Sequence, residues 1–360
     1  MNKKIAVLSG DGVGPEIMAE AIKVLNRIGE KFGHKFNFSE ALIGGAAWDK
    51  TGNHFPDETK KICENSDAIL FGSVGGPVTS AQDKKWLNCE VNSILGIRKH
   101  FNFNINLRPA KAYKQLKNSA FLRADIIEKG IDILCVRELS QDIYFGEHKT
   151  EEKNGIKIAT DIMTYDEKCI EAVAHTAFQA AQKRKKKVHS VDKANVLDCS
   201  KLWRETVTKV SKKYPDCELV HILVDNCAMQ VIRRPYDFDV LLMPNMFGDI
   251  ISDETSIFAG SLGMLPSASL NSKGFGLYEP SAGSAPDIAG KGIANPIGQI
   301  LSAAMMLKYS FGLNEEHDEI ARAIEKSFEQ GFMTADAVQE GAKSISTSQM
   351  GDKIVNNIKI

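Results

Sequence analysis

Three aspartates set the chemical question. Asp249 and Asp253 lie four residues apart in Asn245-Met246-Phe247-Gly248-Asp249-Ile250-Ile251-Ser252-Asp253. On a helix that spacing puts both carboxylates on one face, about one turn (roughly 6 Å) apart, where they can grip one cation together. Two acids at a helix start also suit the positive end of its dipole, so the pair alone does not decide between the two roles. Asp225 follows a further apolar run, Leu219 to Val224, the kind of position at which α/β sheets present functional groups. Three carboxylates suit a hard ion such as Mg²⁺ or Mn²⁺. None of the eight histidines is paired at ligand spacing, which argues against zinc.

Arginines recur in comparable settings. Arg98 sits in Ile94-Leu95-Gly96-Ile97-Arg98-Lys99, Arg108 in Asn106-Leu107-Arg108-Pro109 and Arg137 in Val136-Arg137-Glu138. A guanidinium fork grips a carboxylate bidentately, so three of them can hold a substrate with two carboxylates. Any one arginine alone reads as a surface ion pair. A last segment, from Tyr278-Glu279-Pro280 through Gly283-Ser284-Ala285-Pro286-Asp287-Ile288 to Gly292, is dense in small residues. Backbone N–H groups in such a loop can cradle a diphosphate, and Asp287 can accept from ribose hydroxyls while repelling a 2′-phosphate, which favours NAD over NADP. Composition alone equally allows a structural loop.

These groups need a scaffold, and the pattern supplies an α/β one with largely parallel strands: short apolar runs alternate with helical periodicity from end to end. The predicted strands are Lys4–Ser9, Ala68–Val74, Ile131–Val136, Lys187–Val191, Leu219–Val224 and Asp239–Met243. Predicted helices cover Pro15–Phe32, Asp166–Lys183, Lys201–Lys213 and Ile297–Phe311. Gly10-Asp11-Gly12-Val13-Gly14-Pro15 follows a strand and opens a helix, but Gly14 comes too soon after Gly12 for a G-x-G-x-x-G fingerprint. A tight strand-to-helix turn near a ligand is expected there instead of a standard Rossmann site. The basic run Lys183 to Lys187 ends a predicted helix, where cations suit the dipole, and reads as a solvated terminus.

At 360 residues the chain predicts about two domains. A net charge of -1, with no basic stripe interleaved with aromatics, gives no footprint for nucleic acid. Seven cysteines without a C-x-x-C pair read as reduced thiols. Nothing approaches the apolar length of a membrane span or a signal sequence, so a cytoplasmic protein free of membrane is expected.

Seven segments in order carry a family resemblance: GDGVGPE at the start, GSVGGP at 72–77, NLRPAK at 106–111, VREL…IYFG at 136–146, VDKANV at 191–196, NMFGDIISD at 245–253 and GSAPDIAGKGIANP at 283–296. Together they resemble the isocitrate/isopropylmalate β-decarboxylating dehydrogenases across essentially the whole chain. IYFG and the apolar Ile94-Leu95 before Arg98 look like the isopropylmalate branch.

The resemblance implies two open α/β domains, a cofactor-binding domain from residues 1–103 and 260–360 and a substrate, metal and dimerisation domain from 104–259, with catalysis in the cleft between them. It implies NAD-dependent oxidation and decarboxylation of 3-isopropylmalate to 2-oxo-4-methylpentanoate and CO₂ in leucine biosynthesis. Lys193 would take the hydroxyl proton and Tyr144 would return a proton to carbon. Arg98, Arg108 and Arg137 would clamp the malate carboxylates, with Ile94, Leu95 and Val196 around the alkyl group. Asp225, Asp249 and Asp253 would hold Mg²⁺ or Mn²⁺. Gly75, Gly76, Glu90, Gly283, Ser284, Ala285, Pro286, Asp287, Ile288 and Asn295 would hold NAD. It further implies a homodimer in which Lys193 and Asp225 serve the partner's site.

Two departures stand out against the family pattern. Gln141 and Asp142 replace a usual glycine pair ahead of Tyr144, and Ala282 stands where histidine or glycine is usual. Dehydrogenases for other 3-substituted malates would share every catalytic residue, and a metal-dependent hydrolase could also use three aspartates and a lysine.

Overall fold

A computed structural model describes residues 1–117, 122–338 and 343–359 of the chain. The strands are β1 (Asn2–Gly10), β2 (Lys35–Glu40), β3 (Ala68–Ser73), β4 (Ile105–Lys111), β5 (Asp132–Glu138), β6 (His148–Lys153), β7 (Ile156–Asp161), β8 (Lys187–Asp192), β9 (Glu218–Leu223), β10 (Val240–Met243), β11 (Pro266–Leu270) and β12 (Gly276–Pro280), with the two-residue strands β13 (Phe332–Met333) and β14 (Lys343–Ser344) pairing with each other. The α-helices are α1 (Gly14–Phe32), α2 (Gly44–Thr51), α3 (Asp57–Glu64), α4 (Gly96–His100), α5 (Ala124–Ile127), α6 (Glu167–Gln182), α7 (Asp198–Ser211), α8 (Val224–Arg233), α9 (Asn245–Ser256), α10 (Ile297–Tyr309), α11 (Asn314–Glu329) and α12 (Thr347–Asn357).

The chain divides into two compact units. Of the described residues, the first comprises 1–102, 112–117, 122–124, 259–338 and 343–359, so 112–117 and 122–124, expected with the middle of the chain, group instead with the termini. Its strands run in the order β2-β1-β3-β12-β11, parallel except for the antiparallel β11–β12 pair. On α1, Ile17, Ala21, Val24, Leu25 and Ile28 are all buried, which is the face the periodicity predicts; Phe32 at its end is only partly covered. Gly33 follows in the left-handed conformation and stops the helix. α10 is apolar nearly all round because it packs on both β11 and β12 and on α1 and α11.

The second unit comprises 103–111 and 125–258. Its strands run β4-β5-β10-β8-β9, with β4–β5 antiparallel and the other pairs parallel. The fully buried β10 and most of β5 read as continuous apolar runs, as strands covered on both faces do. β6 and β7 form a separate antiparallel hairpin whose residues are almost all exposed. The Lys183 to Lys187 run does end α6, yet Arg184 turns inward to Asp239, a nearly fully buried carboxylate, at 2.7 Å. The seven cysteines are free thiols, and burial pushes Cys63 and Cys227 up to about 12. Among the described residues no helix is long and apolar enough to cross a membrane.

Candidate active site

In the second unit the site grows from three neighbouring elements. β4 carries Arg108, β5 ends on Arg137 and Glu138, and α9 begins just after β10 with Asn245 and carries Asp249 and Asp253. β5 pairs with both β4 and β10, so the strand order itself brings the two arginines toward the start of α9. Arg137 is 5% exposed; its Nε donates to Asn245 Oδ1 at 2.9 Å and its Nη1 to Asp249 Oδ1. Gly248 makes this approach possible, because a Cβ there would stand 2.7 Å from Arg137 Cγ. Arg108 Nη1 donates to Asp253 Oδ1 at 2.8 Å and to Ser252 Oγ at 3.0 Å, and its Nε to Asn106 Oδ1. Asp249 and Asp253 thus each face a guanidinium, which relieves the repulsion between the two.

Tyr144, on the turn after β5, donates its hydroxyl to Asp249 Oδ2 at 3.0 Å. Partial burial, and then the nearby Asp249 charge, hold its phenol above the ordinary value. The group therefore keeps its proton at neutral pH, as a proton donor must. The Gln141-Asp142 departure is absorbed by hydrogen bonds: Gln141 reaches Asp166, while the buried Asp142 binds its neighbour Ile143 and two separate segments, at Tyr165 and Met246.

Lys193 and Asp225 pair with each other at 2.6 Å. Asp225 belongs to the first turn of α8, not to the end of β9 as the apolar run suggests, because Val224 already opens the helix. The Lys193 hydrogen bond is the main cause holding its carboxyl below the usual range. Among the described residues, no three His, Cys, Asp or Glu side chains of one chain are disposed to hold a metal ion. The structure thus joins Arg108, Arg137, Tyr144, Asp249 and Asp253 in one group and Lys193 and Asp225 in another. Asp249 and Asp253 remain a hard-oxygen pair one helical turn apart, a donor set that suits Mg²⁺ or Mn²⁺ and would be completed by a further carboxylate.

In the first unit, Arg98 on α4 donates to Glu279 Oε1 of β12 at 2.9 Å, while its Nε is buried with no hydrogen-bond partner. Ile94 and Leu95 lie in a π-helical turn, Val91–Leu95, just before α4, and Leu95 remains 39% exposed. π-turns of this kind concentrate at functional sites. Val196, in the second unit, is also exposed.

The glycine turn at residues 10–14 is confirmed as a tight strand-to-helix turn. Gly12 has φ +58°, and a Cβ there would strike Ser284 O at 1.9 Å, so the 283–292 loop lies backbone on backbone against it. Val13 N–H donates to Ser284 O at 2.8 Å, and Ile288 packs on Val13, Ile17 and Ala294. Asp287, Pro286 and Gly283 face outward, and the space beside Gly283, Gly290 and Gly292 is open, which suits the close approach of a cofactor to the backbone. Gly75, at φ +116°, lies between Glu90 and Ser284, and its N–H donates to Asp11 Oδ2 at 3.1 Å. Gly76 leaves room for the ring of Trp86, Ala285 takes a positive φ of 39°, and Asn295 Oδ1 accepts from Ile297 N–H at the start of α10. Ala282 is half-buried.

Sequence reasoning missed several supports. Asp11 was passed over among its glycines, yet its carboxylate also accepts from Gly45 and Ala46 N–H at 2.8 Å, fixing the start of α2. Asn245 and Ser252, which hold the two arginines, stood inside the acidic motif but were not singled out. Nothing local marks Tyr165 or Glu279, whose partners lie far along the chain.

With this geometry in view, the comparisons with known proteins are specific. Residues 4–354 match the family model described as isocitrate/isopropylmalate dehydrogenase. The chain belongs to the isocitrate/isopropylmalate dehydrogenase family. This family member is 56% identical to the 3-isopropylmalate dehydrogenase of Haemophilus influenzae over 98% of this chain and 99% of that protein. It is 51% identical to the 3-isopropylmalate dehydrogenase of Aquifex aeolicus, over 99% of this chain and 97% of that protein. Among solved structures it resembles the isocitrate dehydrogenase of Methylococcus capsulatus, with a TM-score of 0.84 and 31% identity over 99% of both chains. The β-decarboxylating dehydrogenase of Thermococcus kodakarensis gives 0.80 and 32%, covering 99% of this chain and 96% of that one. The fold of this family member is thus the family's own α/β architecture and not a standard Rossmann domain.

Proposed function

We propose that the chain is an NAD-dependent 3-isopropylmalate dehydrogenase, which oxidises and decarboxylates 3-isopropylmalate to 2-oxo-4-methylpentanoate in leucine biosynthesis in the cytoplasm. The observation that carries the reading is the cluster of Arg108, Arg137, Tyr144, Asp249 and Asp253 around the start of α9, in a chain 56% identical to a 3-isopropylmalate dehydrogenase.

Arg108 and Arg137 would exchange part of their pairing with the aspartates for the carboxylates of the malate, and Arg98 would supply the third guanidinium. A divalent ion held by Asp249, Asp253 and Asp225 of the partner subunit would stabilise negative charge at the reacting oxygen, and NAD held along the 283–292 loop would accept the hydride. Lys193 of the partner subunit would take the hydroxyl proton when the alcohol becomes a ketone. The carboxylate β to that ketone then leaves as CO₂, and Tyr144 delivers a proton to the carbon left as an enolate. The Tyr144 hydroxyl, held on Asp249 at 3.0 Å, supports that role. Ile94, Leu95 and Val196 would enclose the isopropyl group; the exposed faces of Leu95 and Val196 leave apolar surface for it to cover.

Two observations support a homodimer. A two-stranded hairpin is marginal by itself, yet β6–β7 stands almost fully exposed with Ile156 at 66%, so a second copy is the natural cover. The Lys193–Asp225 pair, separate from the rest of the site in one chain, is accounted for if it serves the other protomer.

The test is a substrate panel with Mg²⁺ and NAD⁺, or NADP⁺ as the cofactor control. 3-Isopropylmalate should give the highest kcat/KM, ahead of 3-methylmalate, with isocitrate and tartrate inactive. Preference for a polar substituent would refute the assignment of Ile94, Leu95 and Val196.

A further inference from the structure

Asp142 stands at an unfavourable point of the backbone and is held there by contacts that reach across the second unit. Its φ is +83°, in the left-handed region that side-chain-bearing residues rarely occupy, and its carboxylate is 1% exposed. A buried carboxylate on strained backbone persists only where its surroundings hold it in place. Oδ1 accepts from Ile143 N–H at 2.6 Å; Oδ2 accepts from the Tyr165 hydroxyl at 3.1 Å and from Met246 N–H at 3.0 Å. The last contact satisfies a first-turn N–H of α9, where the N-cap residue Pro244 offers no side-chain acceptor.

We infer that Asp142 is a positioning residue: it fastens the turn bearing Tyr144 to the first turn of α9, so that the phenol and Asp249 are held as one unit. The inference rests on the reading of Tyr144 as proton donor. The connections form a closed ring. From Asp142 the chain runs two residues to Tyr144, whose hydroxyl donates to Asp249 Oδ2 at 3.0 Å; α9 runs back from Asp249 by three residues to Met246, whose N–H returns to Asp142.

Neighbouring bonds close the same gap. Asn245 Nδ2 donates to Gln141 O at 3.0 Å, and Phe145 N–H donates to Asp142 O at 3.2 Å. Glu138, also buried, accepts from Ser140 and Gln141 N–H and so clamps the other side of the turn. The hydrogen bonds of its carboxylate go to Ile143, Tyr165 and Met246, so Asp142 acts through the Tyr144 turn and α9. Glycine at 142 would relieve the backbone and leave Met246 N–H without its acceptor.

The test uses the full-length enzyme with four variants: Asp142→Gly, Asp142→Asn, Tyr144→Phe and the double variant Asp142→Gly/Tyr144→Phe. kcat and KM for 3-isopropylmalate are measured, and amide hydrogen exchange is followed in peptides spanning 141–147 and 244–250. Asp142→Gly should lower kcat about tenfold with KM within about twofold, as expected for a misplaced donor. Asp142→Asn, which keeps one carbonyl acceptor, should fall between it and wild type. On the Tyr144→Phe background the glycine change should lower kcat no further, and exchange protection should be lost from both peptides together.

Wild-type kcat in Asp142→Gly beside an impaired Tyr144→Phe overturns the inference alone, as does protection lost only from 141–147 or a full additive loss in the double variant. Wild-type kcat in Tyr144→Phe overturns the reading of Tyr144 and this inference with it.

Discussion

Mixing two inactive variants should restore activity. In one chain Lys193 and Asp225 pair at 2.6 Å, apart from the cluster that Arg137, Tyr144 and Asp249 build, and among the described residues no three ligand-type side chains of that chain can share an ion. Two copies related by a twofold axis would solve this, each lending its Lys193 and Asp225 to the other. Lys193→Ala and Asp249→Asn homodimers should then each be inactive, since every site carries one lesion. In a heterodimer one site carries both lesions and the other carries none. Random reassociation of equal amounts makes half the dimers mixed, with half their sites intact, so about a quarter of wild-type activity should return. The two proteins are co-expressed or exchanged under mild denaturant, and NADH formation is followed with Mg²⁺ and 3-isopropylmalate. Recovery below about 2% after mixed dimers have been demonstrated would refute the shared site, because a site built from a single chain carries a lesion in every copy.

Other outcomes follow from the same geometry. Asp249→Asn removes the carboxylate charge that faces Arg137, 5% exposed; because Asp249 is itself one-third exposed, the cost in stability should be only about 1–2 kcal/mol, while turnover falls at least about 1,000-fold. Equal turnover with an unchanged unfolding midpoint would contradict both roles. Tyr144→Phe should lower kcat about 100-fold with little change in KM, a split that steady-state kinetics reads directly. His189, buried against Phe238, is pushed down to about 4 by burial and by the Lys187 charge. Its unfolded value is about 6.5, so the unfolded chain takes up the proton first. Stability is therefore full above that value and drains as pH falls toward 4, by at most about 3 kcal/mol. Denaturation midpoints at pH 7 and 4.5 should differ less in His189→Asn than in wild type; an equal difference would remove His189 from the acid response.

Legibility in the sequence followed the range of the interactions. The buried strands β3, β5, β8 and β10 and the amphipathic α1 were readable because burial on both faces, or on one stripe, writes itself into apolar periodicity. β4 was not, since its Arg108-Pro109 reads as a recognition motif, and β6 was hidden because its six residues, His148–Lys153, include no apolar side chain to alternate. The acidic pair on α9 was visible from its spacing, whereas its pairing with Arg108 and Arg137 was not, because strand order and not chain order sets it. Asp225 was misplaced onto a strand end because Val224, strand-favouring by propensity, opens α8 instead. Gln141 and Asp142 were noticed only as departures; their partners, Asp166, Tyr165 and Met246, are brought to them by the fold.

The central claim is that one reaction couples hydride removal to loss of the β-carboxylate of an apolar-substituted malate. Its most direct measurement is stoichiometry: wild-type enzyme with Mg²⁺, NAD⁺ and 3-isopropylmalate, with NADH, CO₂ and 2-oxo-4-methylpentanoate quantified together. The account predicts the three in equal amounts. NADH without CO₂, CO₂ without NADH, or neither product with this substrate would contradict it.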